Sequence, residues 1–425
     1  MRRPRKVREK LEEMLEDIKP RLGVAAYTRP LYYDVFQTVK SYLLKLYLGD
    51  EVTPPAEELP FKVEGAFSYV HPGILTLPMI IGFDPLDNYT SSEQSFLAVV
   101  RYNNNRYYIS LSIVKDFRDH YVMFVVGESP EELYTIELTN LLIKLAIRNS
   151  GYYGKFLKFS QPSENIEGIK FKILPPPNLS LNDIYLKDKS DLEDFVEAVK
   201  RKNQGLRYLF VGEPGTGKTD TVRAIIAECL KVDGITVIQV DASSGIPLNA
   251  VFEYAEIFSP VLLCIDDIDI LVGSRENYFN FRGKELSSAL QALDGFVEKD
   301  DHYLIATTND RKLVDFALRR PGRFDLIIEF KELDPEFYPD LVLRESKDEN
   351  LAEVFKDERI RRKLYNLKVT GAFIVTLVKH LLKPRYDETR YNPETVIALI
   401  DKLHTSFKQE VKKEEKIGFV GGDNE

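Results

Sequence analysis

The stretch "GEPGTGKT", residues 212–219, restricts the fold of this chain more than any other. It follows an apolar run, "RYLFV", and opens "KTDTVRAIIAECL", whose apolar spacing is helical. A glycine-rich turn between a buried strand and a helix start aims backbone N–H groups and a helix dipole at one point, which suits an anion. The pattern G-x-x-x-x-G-K-[ST] is complete, and strand–turn–helix is the context that gives it meaning. Gly212, Glu213, Pro214, Gly215, Thr216 and Gly217 are expected to wrap phosphates. Lys218 should reach the β- and γ-phosphates, Thr219 should ligate Mg²⁺, and Asp220 follows in the first turn of the helix.

Short apolar runs alternate with helical patterns from Asn182 onward: "RYLFV", "ITVIQV", "VLLCI", "HYLIAT" and "LIIEF". That alternation predicts an α/β core with a parallel sheet covered on both faces. "LLCIDDID", residues 262–269, delivers two acids at the end of a buried strand. Asp266 is expected to hold Mg²⁺, through water, and Asp267 to orient or deprotonate an attacking water. The bland alternative is that both acids cap a strand end. "YLIATTND" ends a further strand in Asn309, a neutral amide suited to holding that water. "ALRRPGRFD", residues 317–325, sets Arg319, Arg320 and Arg323 around a Pro-Gly turn; beside a phosphate loop such arginines suggest fingers acting on a neighbouring subunit.

The first half reads differently. Residues 1–50 carry two helical patterns with a break at "KPRLGVAAYTRP", and residues 61–127 are strand-like. Asn103-Asn104-Asn105 marks a hairpin, because asparagine tolerates the positive φ of such turns. "SPEELYTIELTNLLIKLAIRNS" predicts a helix with Ser129 as N-cap and Pro130 at its first position. The expected organisation is an α+β N-terminal domain over 1–160, a proline-rich linker with one short strand over 161–181, the α/β core over 182–333, a helical lid over 334–410 and a mobile tail over 411–425.

Bulk properties narrow the classes. A net charge of −9 argues against a dedicated nucleic-acid binder, although "MRRPRKVREK" is a local basic exception. Cys229 and Cys264 sit in apolar, periodic contexts that indicate core packing in a reducing cytoplasm. The histidines have no ligand spacing, no apolar run reaches membrane-spanning length, and the basic start leads into acids, unlike a secretory leader.

"GEPGTGKT", "LLCIDDID", "ATTND" and "RRPGRFD", in that order, resemble the AAA family of ATPases over residues 180–410. "ALDGF" and "TGAFIVTLV" match further family segments. The resemblance implies an ATP- and Mg²⁺-dependent ATPase with an AAA+ P-loop core and a small helical lid, assembled as a homo-oligomeric ring, usually a hexamer. It implies that Arg320 and Arg323 are the fingers, that Asp183 and Ile184 lie beside the adenine, and that Gly371 and Ala372 face the nucleotide from the lid. The Pro-Gly-Arg-Phe-Asp signature resembles the protein-remodelling branch, with a protein client or adaptor selected by the N-terminal domain and nucleic acid an unlikely partner. A nucleic-acid motor or loader and a slow, ATP-switched assembly scaffold remain as alternatives. The core layout is similar to the branch that includes a translocase of folded proteins, without that protein's membrane anchor.

Two departures stand out. Asp267 occupies the position where the family has glutamate, which withdraws the carboxylate by about 1.5 Å. The segment after "ITVIQV" offers "SSGIP", with Ile246 in place of an aromatic pore residue. Tyr278, Phe279 and Phe281 form either a second, aromatic pore loop or ordinary packing.

Overall fold

A computed structural model of the chain describes residues 25–31, 33–69, 90–91, 95–115, 119–127, 131–160, 170–241, 246, 248–268, 293, 296, 300–309 and 323–417. The chain divides into two compact units, one of residues 1–176, 196–207 and 229–305, the other of 177–195, 208–228 and 306–425.

The first unit begins with β1 (Ala25–Leu31) and α1 (Tyr33–Leu48). The expected break in the first 50 residues is therefore a strand, and the helical pattern before it lies outside the described residues. Helix α1 buries Val35, Phe36, Val39, Tyr42 and Leu43, the i, i+1, i+4, i+7, i+8 stripe of an amphipathic helix. Strands β2 (Phe61–Tyr69), β3 (Thr90–Ser91), β4 (Ser95–Tyr102), β5 (Asn105–Lys115) and β6 (Asp119–Gly127) follow. They form an antiparallel sheet in the order β1-β6-β5-β4-β2, with β3 on β5. The β4–β5 turn is Asn103-Asn104, with φ of 47° and 64°, closed by Tyr102 opposite Asn105. Helix α2 (Glu132–Arg148) starts later than expected, with Glu131 as N-cap and no side-chain cap; Ser129 and Pro130 lie outside the described residues. Helices α1 and α2 pack on each other and on the sheet through β2, β6 and β1.

The predicted boundary at residue 160 and the linker after it are corrected by what comes next. β7 (Phe156–Ser160) pairs in parallel with β10 (Thr236–Asp241), and β8 (Lys170–Ile173) pairs antiparallel on β7. With β11 (Val261–Asp266) on the other side of β10, the order is β11-β10-β7-β8. Two stretches expected in the N-terminal domain and the linker thus extend the core sheet. The reason is apolar: Phe159 stacks on Phe171 at 5.0 Å, and Phe171 meets Phe258 edge-on at 5.2 Å. β7, which lies within residues 1–160, is thus a strand of the parallel sheet.

One carboxylate ties this edge to α1. Asp34 accepts the Phe171 backbone N–H at 3.0 Å and the Tyr152 hydroxyl at 3.3 Å. Arg29 of β1 bonds Asn140 of α2 and lies 3.6 Å from Glu253 of α5 (Leu248–Glu256); α3 (Ser190–Arg201) and α4 (Lys218–Cys229) precede α5 in the chain.

In the second unit, β13 (Leu326–Phe330) runs parallel to β9 (Arg207–Gly212). β12 (His302–Thr308) is buried along its whole length. The expected lid is helical: α6 (Tyr338–Ser346), α7 (Glu349–Val354), α8 (Glu358–Asn366), α9 (Gly371–Leu381) and α10 (Pro393–Ile417). Its core gathers Tyr338, Leu351, Phe355, Ile374, Leu377 and Val396, each at most 1 % exposed. Each such side chain contributes about 1.5–3 kcal/mol of burial free energy.

Asp34→Ala removes an ionised acceptor from two donors. It is expected to lower stability by about 2 kcal/mol, since hydrogen bonds to charged groups net about 1.5–3 kcal/mol. Urea unfolding of the full chain reads this, and an unchanged midpoint would show that the α1–β8 tie carries no stability.

Candidate nucleotide site

The P-loop is built as the sequence pattern requires. Strand β9 ends at Gly212, α4 begins at Lys218, and the turn between them uses left-handed backbone at Gly215 (φ 79°) and Gly217 (φ 98°). A side chain at Gly215 would also bring its Cβ to 2.6 Å from the Ala372 Cβ. Glu213, Pro214, Gly215, Gly217 and Thr219 are exposed, so the wrap and the start of α4 face solvent. Thr216 closes the turn by donating its hydroxyl to the Glu213 carbonyl at 2.7 Å. Asp220 sits in the first turn of α4 with Arg223 at 3.7 Å.

Lys218 is 6 % exposed. Its ammonium donates to the Gly212 carbonyl at 2.7 Å, the Glu213 carbonyl at 3.0 Å and the Asn309 Oδ1 at 2.8 Å. A buried ammonium is tolerable when its donors are satisfied. The predicted water-holding Asn309, 91 residues away in sequence, therefore meets the predicted phosphate-binding lysine directly.

The lid supplies a further contact. Ala372 N–H, in the first turn of α9, donates to the Gly215 carbonyl at 3.2 Å, and a Cβ on Gly371 would lie 3.6 Å from the same oxygen. Gly371 and Ala372 thus adjoin the P-loop. The adenine candidates stand in a tight turn. The Asp183 carboxylate accepts from the Ser180 N–H and hydroxyl, both at 2.8 Å, and those bonds hold its pKa below the ordinary range. Its N–H donates to the Ser180 carbonyl and that of Ile184 to the Leu181 carbonyl, while the Ile184 side chain is buried. Tyr185 follows this turn, and Arg344 lies over its ring at 5.2 Å.

In the first unit, Asp266 closes β11 and Asp267 follows it at φ 51°, in the left-handed region. Gln239 of β10 donates its side-chain amide to Asp266 Oδ2 at 2.7 Å. Sequence reasoning passed over Gln239. Its signal was a lone amide inside the apolar run "ITVIQV".

Of the arginines, Arg323 is 9 % exposed and is engaged within its own chain. Arg319 and Arg320 lie outside the described residues, as do Tyr278, Phe279 and Phe281. Ile246 is 4 % exposed, a core position rather than a projecting paddle. Cys229 and Cys264 are free and buried, and burial pushes the Cys264 thiol well up.

Comparison with known proteins bears on this geometry. Residues 208–332 match the model of the "ATPase family associated with various cellular activities (AAA)". Residues 208–332 of the chain thus carry an AAA domain. Its relatives include the ATP-dependent zinc metalloprotease FtsH of Streptobacillus moniliformis, 27 % identical over 275 residues, covering 58 % of this chain and 39 % of that protein. The proteasome-activating nucleotidase of Methanosphaerula palustris is 38 % identical over 137 residues, 30 % of this chain and 33 % of that protein. A probable inactive chloroplastic metalloprotease of the same kind from Arabidopsis thaliana is 30 % identical over 182 residues, 40 % of this chain and 14 % of that protein. The chain thus spans well under half the length of each of these three relatives.

The P-loop residues fit the phosphates of a nucleotide. Gly215 and Gly217 take the left-handed turns a phosphate wrap needs, and Lys218 and Asn309 converge at its mouth. The left-handed backbone at Asp267 has its own consequence. A residue other than glycine, asparagine or aspartate pays about 1–2 kcal/mol there. Asp267→Asn is expected to leave unfolding free energy near that of the unmodified protein, while Asp267→Ala loses about 1 kcal/mol. Equal stabilities for the two variants, by chemical denaturation, would contradict the left-handed turn.

Proposed function

We propose that this chain hydrolyses ATP with Mg²⁺ as one subunit of a ring, a hexamer by family resemblance. We propose further that the ring remodels or translocates a protein client or adaptor engaged by residues 1–160. The observation that carries the ATP reading is the convergence of Lys218 and Asn309 at the P-loop. Relatives named as proteasome-activating nucleotidase and as ATP-dependent protease support a protein client, at distant identity. Free, buried cysteines support a reducing compartment, which we take to be the cytoplasm. No helix among the described residues is long and apolar enough to cross a membrane.

In this reading Lys218 and the Gly212–Thr219 backbone hold the phosphates, and Thr219 and Asp266 hold Mg²⁺. Bound Mg²⁺ supplies neutralisation of phosphate charge. Asp267 accepts a proton from, or orients, the attacking water, and Asn309 steadies that water. Arg320 and Arg323 stabilise charge on the transferring group from the neighbouring subunit. The burial of Arg323 within its own chain means that assembly has to free it.

Lys218→Ala is the first test. It is expected to abolish ATP binding by the full chain, measured by calorimetry, and retained affinity would sink the site. Asp267→Asn should bind ATP and nearly stop turnover; turnover at the unmodified rate would assign the water to another residue. If the unmodified protein itself shows no steady-state turnover, the ATP-switched scaffold replaces the motor.

The arginines test the ring. Arg323→Ala should leave the ATP affinity of an isolated subunit nearly unchanged and cut turnover by about 10³-fold or more, the range of fingers in other P-loop enzymes. Mixing it with Lys218→Ala protein should restore part of the activity, because some interfaces then pair an intact loop with an intact finger. No rescue in rings shown to be mixed would place Arg323 in its own subunit's site.

A further inference from the structure

Strand β10 reads "TVIQVD" and is paired on both sides, with β7 and with β11. In such a strand a polar side chain is out of place unless it has a partner. Thr236, Val237, Ile238 and Val240 are buried, and Gln239 is half-buried. Its Cα register partner on β11 is Cys264, and Asp266 is two residues further along. Positions two apart in a strand share a face, so Gln239, Asp241, Cys264 and Asp266 lie on one face of the pair. Gln239 Nε2 uses that placement to reach Asp266 Oδ2 at 2.7 Å, the short distance of a charge-assisted bond.

The register also sets Asp241 directly beside Asp266. Two like charges at neighbouring strand ends push apart. A donor fixed to one oxygen of Asp266 opposes that push and selects one rotamer of its carboxylate. Ordered carboxylates of this kind bind metal better, because the orienting partner carries the entropy cost in advance.

We propose that Gln239 is a positioning residue that fixes the Asp266 carboxylate for binding Mg²⁺. This rests on the reading of Asp266 as a metal ligand. Gln239 touches neither metal nor nucleotide; it acts through one hydrogen bond to the ligand.

The test uses the full chain, Mn²⁺ as the metal probe and a non-hydrolysable ATP analogue. Mn²⁺ affinity is read by electron paramagnetic resonance, and metal-free nucleotide affinity by fluorescence in chelator. Gln239→Met keeps length and loses the donor. It is expected to weaken Mn²⁺ binding by about 10-fold or more, the lower end of the 10–100-fold seen when an orienting partner is lost. Metal-free nucleotide affinity should not move, and a purely structural defect would lower both together. Gln239→Asn, which withdraws the amide by about 1.5 Å, should weaken Mn²⁺ in the same sense. Asp266→Asn separates the two claims. If it leaves Mn²⁺ affinity intact, the metal-ligand reading fails. If it weakens Mn²⁺ while both Gln239 variants bind it normally, or if those variants lose metal and metal-free nucleotide in proportion, the positioning role is overturned.

Discussion

The parallel pairing of β10 is the constraint on which the first unit depends. On one side β10 aligns Asp241 with Asp266, and on the other it accepts β7 and, beyond it, β8. A slip of one residue would turn Gln239 to the face opposite Cys264 and Asp266 and break its bond to Asp266, so the register matters here. The acids at the end of β11 are therefore held in register by β10, whose other edge holds β7. Through β8 and Asp34 that rigidity extends to α1, and Arg29 adds a second point at α5. Of these ties, the Asp34 bonds carry the energy. Arg29 and Glu253 form a partly exposed pair, of the kind worth about 0–1 kcal/mol.

The second unit rests on a different economy. Lys218 is a buried cation with three acceptors already around it. A phosphate that recruits this ammonium must replace acceptors of comparable number, so the lysine's net contribution is the gain of charged over neutral acceptors. The same exchange would release Asn309, so the lysine and this amide are one coupled element. The lid adds a neutral contact, Ala372 N–H to the Gly215 carbonyl, at the one P-loop position where a side chain would collide with the lid. Loop and lid thus meet through backbone groups, and the close approach of Ala372 requires glycine at 215.

What the sequence made legible follows from how local each feature is. The P-loop, the Asn103-Asn104 turn and the lid helices are written in consecutive residues, by φ preference or by helical spacing. The strands of the core were likewise legible as apolar runs. The partner of a strand is not local information. "KFLKFS" reads as a strand, and nothing in its own residues says that it pairs with β10, so the domain boundary fell in the wrong place. Asp34 was invisible for the same reason: its donors, Phe171 and Tyr152, are more than a hundred residues away. Gln239 carried a faint signal as a lone amide in an apolar strand, but its meaning needed the β10–β11 register. Asp183 is a different case: its placement beside the adenine came by resemblance, and its carboxylate accepts two bonds from Ser180 in its own turn.

The aspartate at 267 joins these strands of argument. Judged by length alone, it withdraws a carboxylate by about 1.5 Å from where glutamate would put it, and a displacement near 1 Å can cost about 100-fold in rate. Length is not the only variable once the backbone is left-handed. At φ 51° the Cα–Cβ bond leaves the chain in a different direction from that of an extended residue. The reach lost in the side chain and the turn gained in the main chain are therefore parts of one change. Aspartate and asparagine are the side chains that tolerate such a turn because they are short and can bond locally. Glutamate there would add a methylene to a conformation that disfavours it. The substitution and the backbone select each other, and the placement of the carboxylate has to be judged from both together.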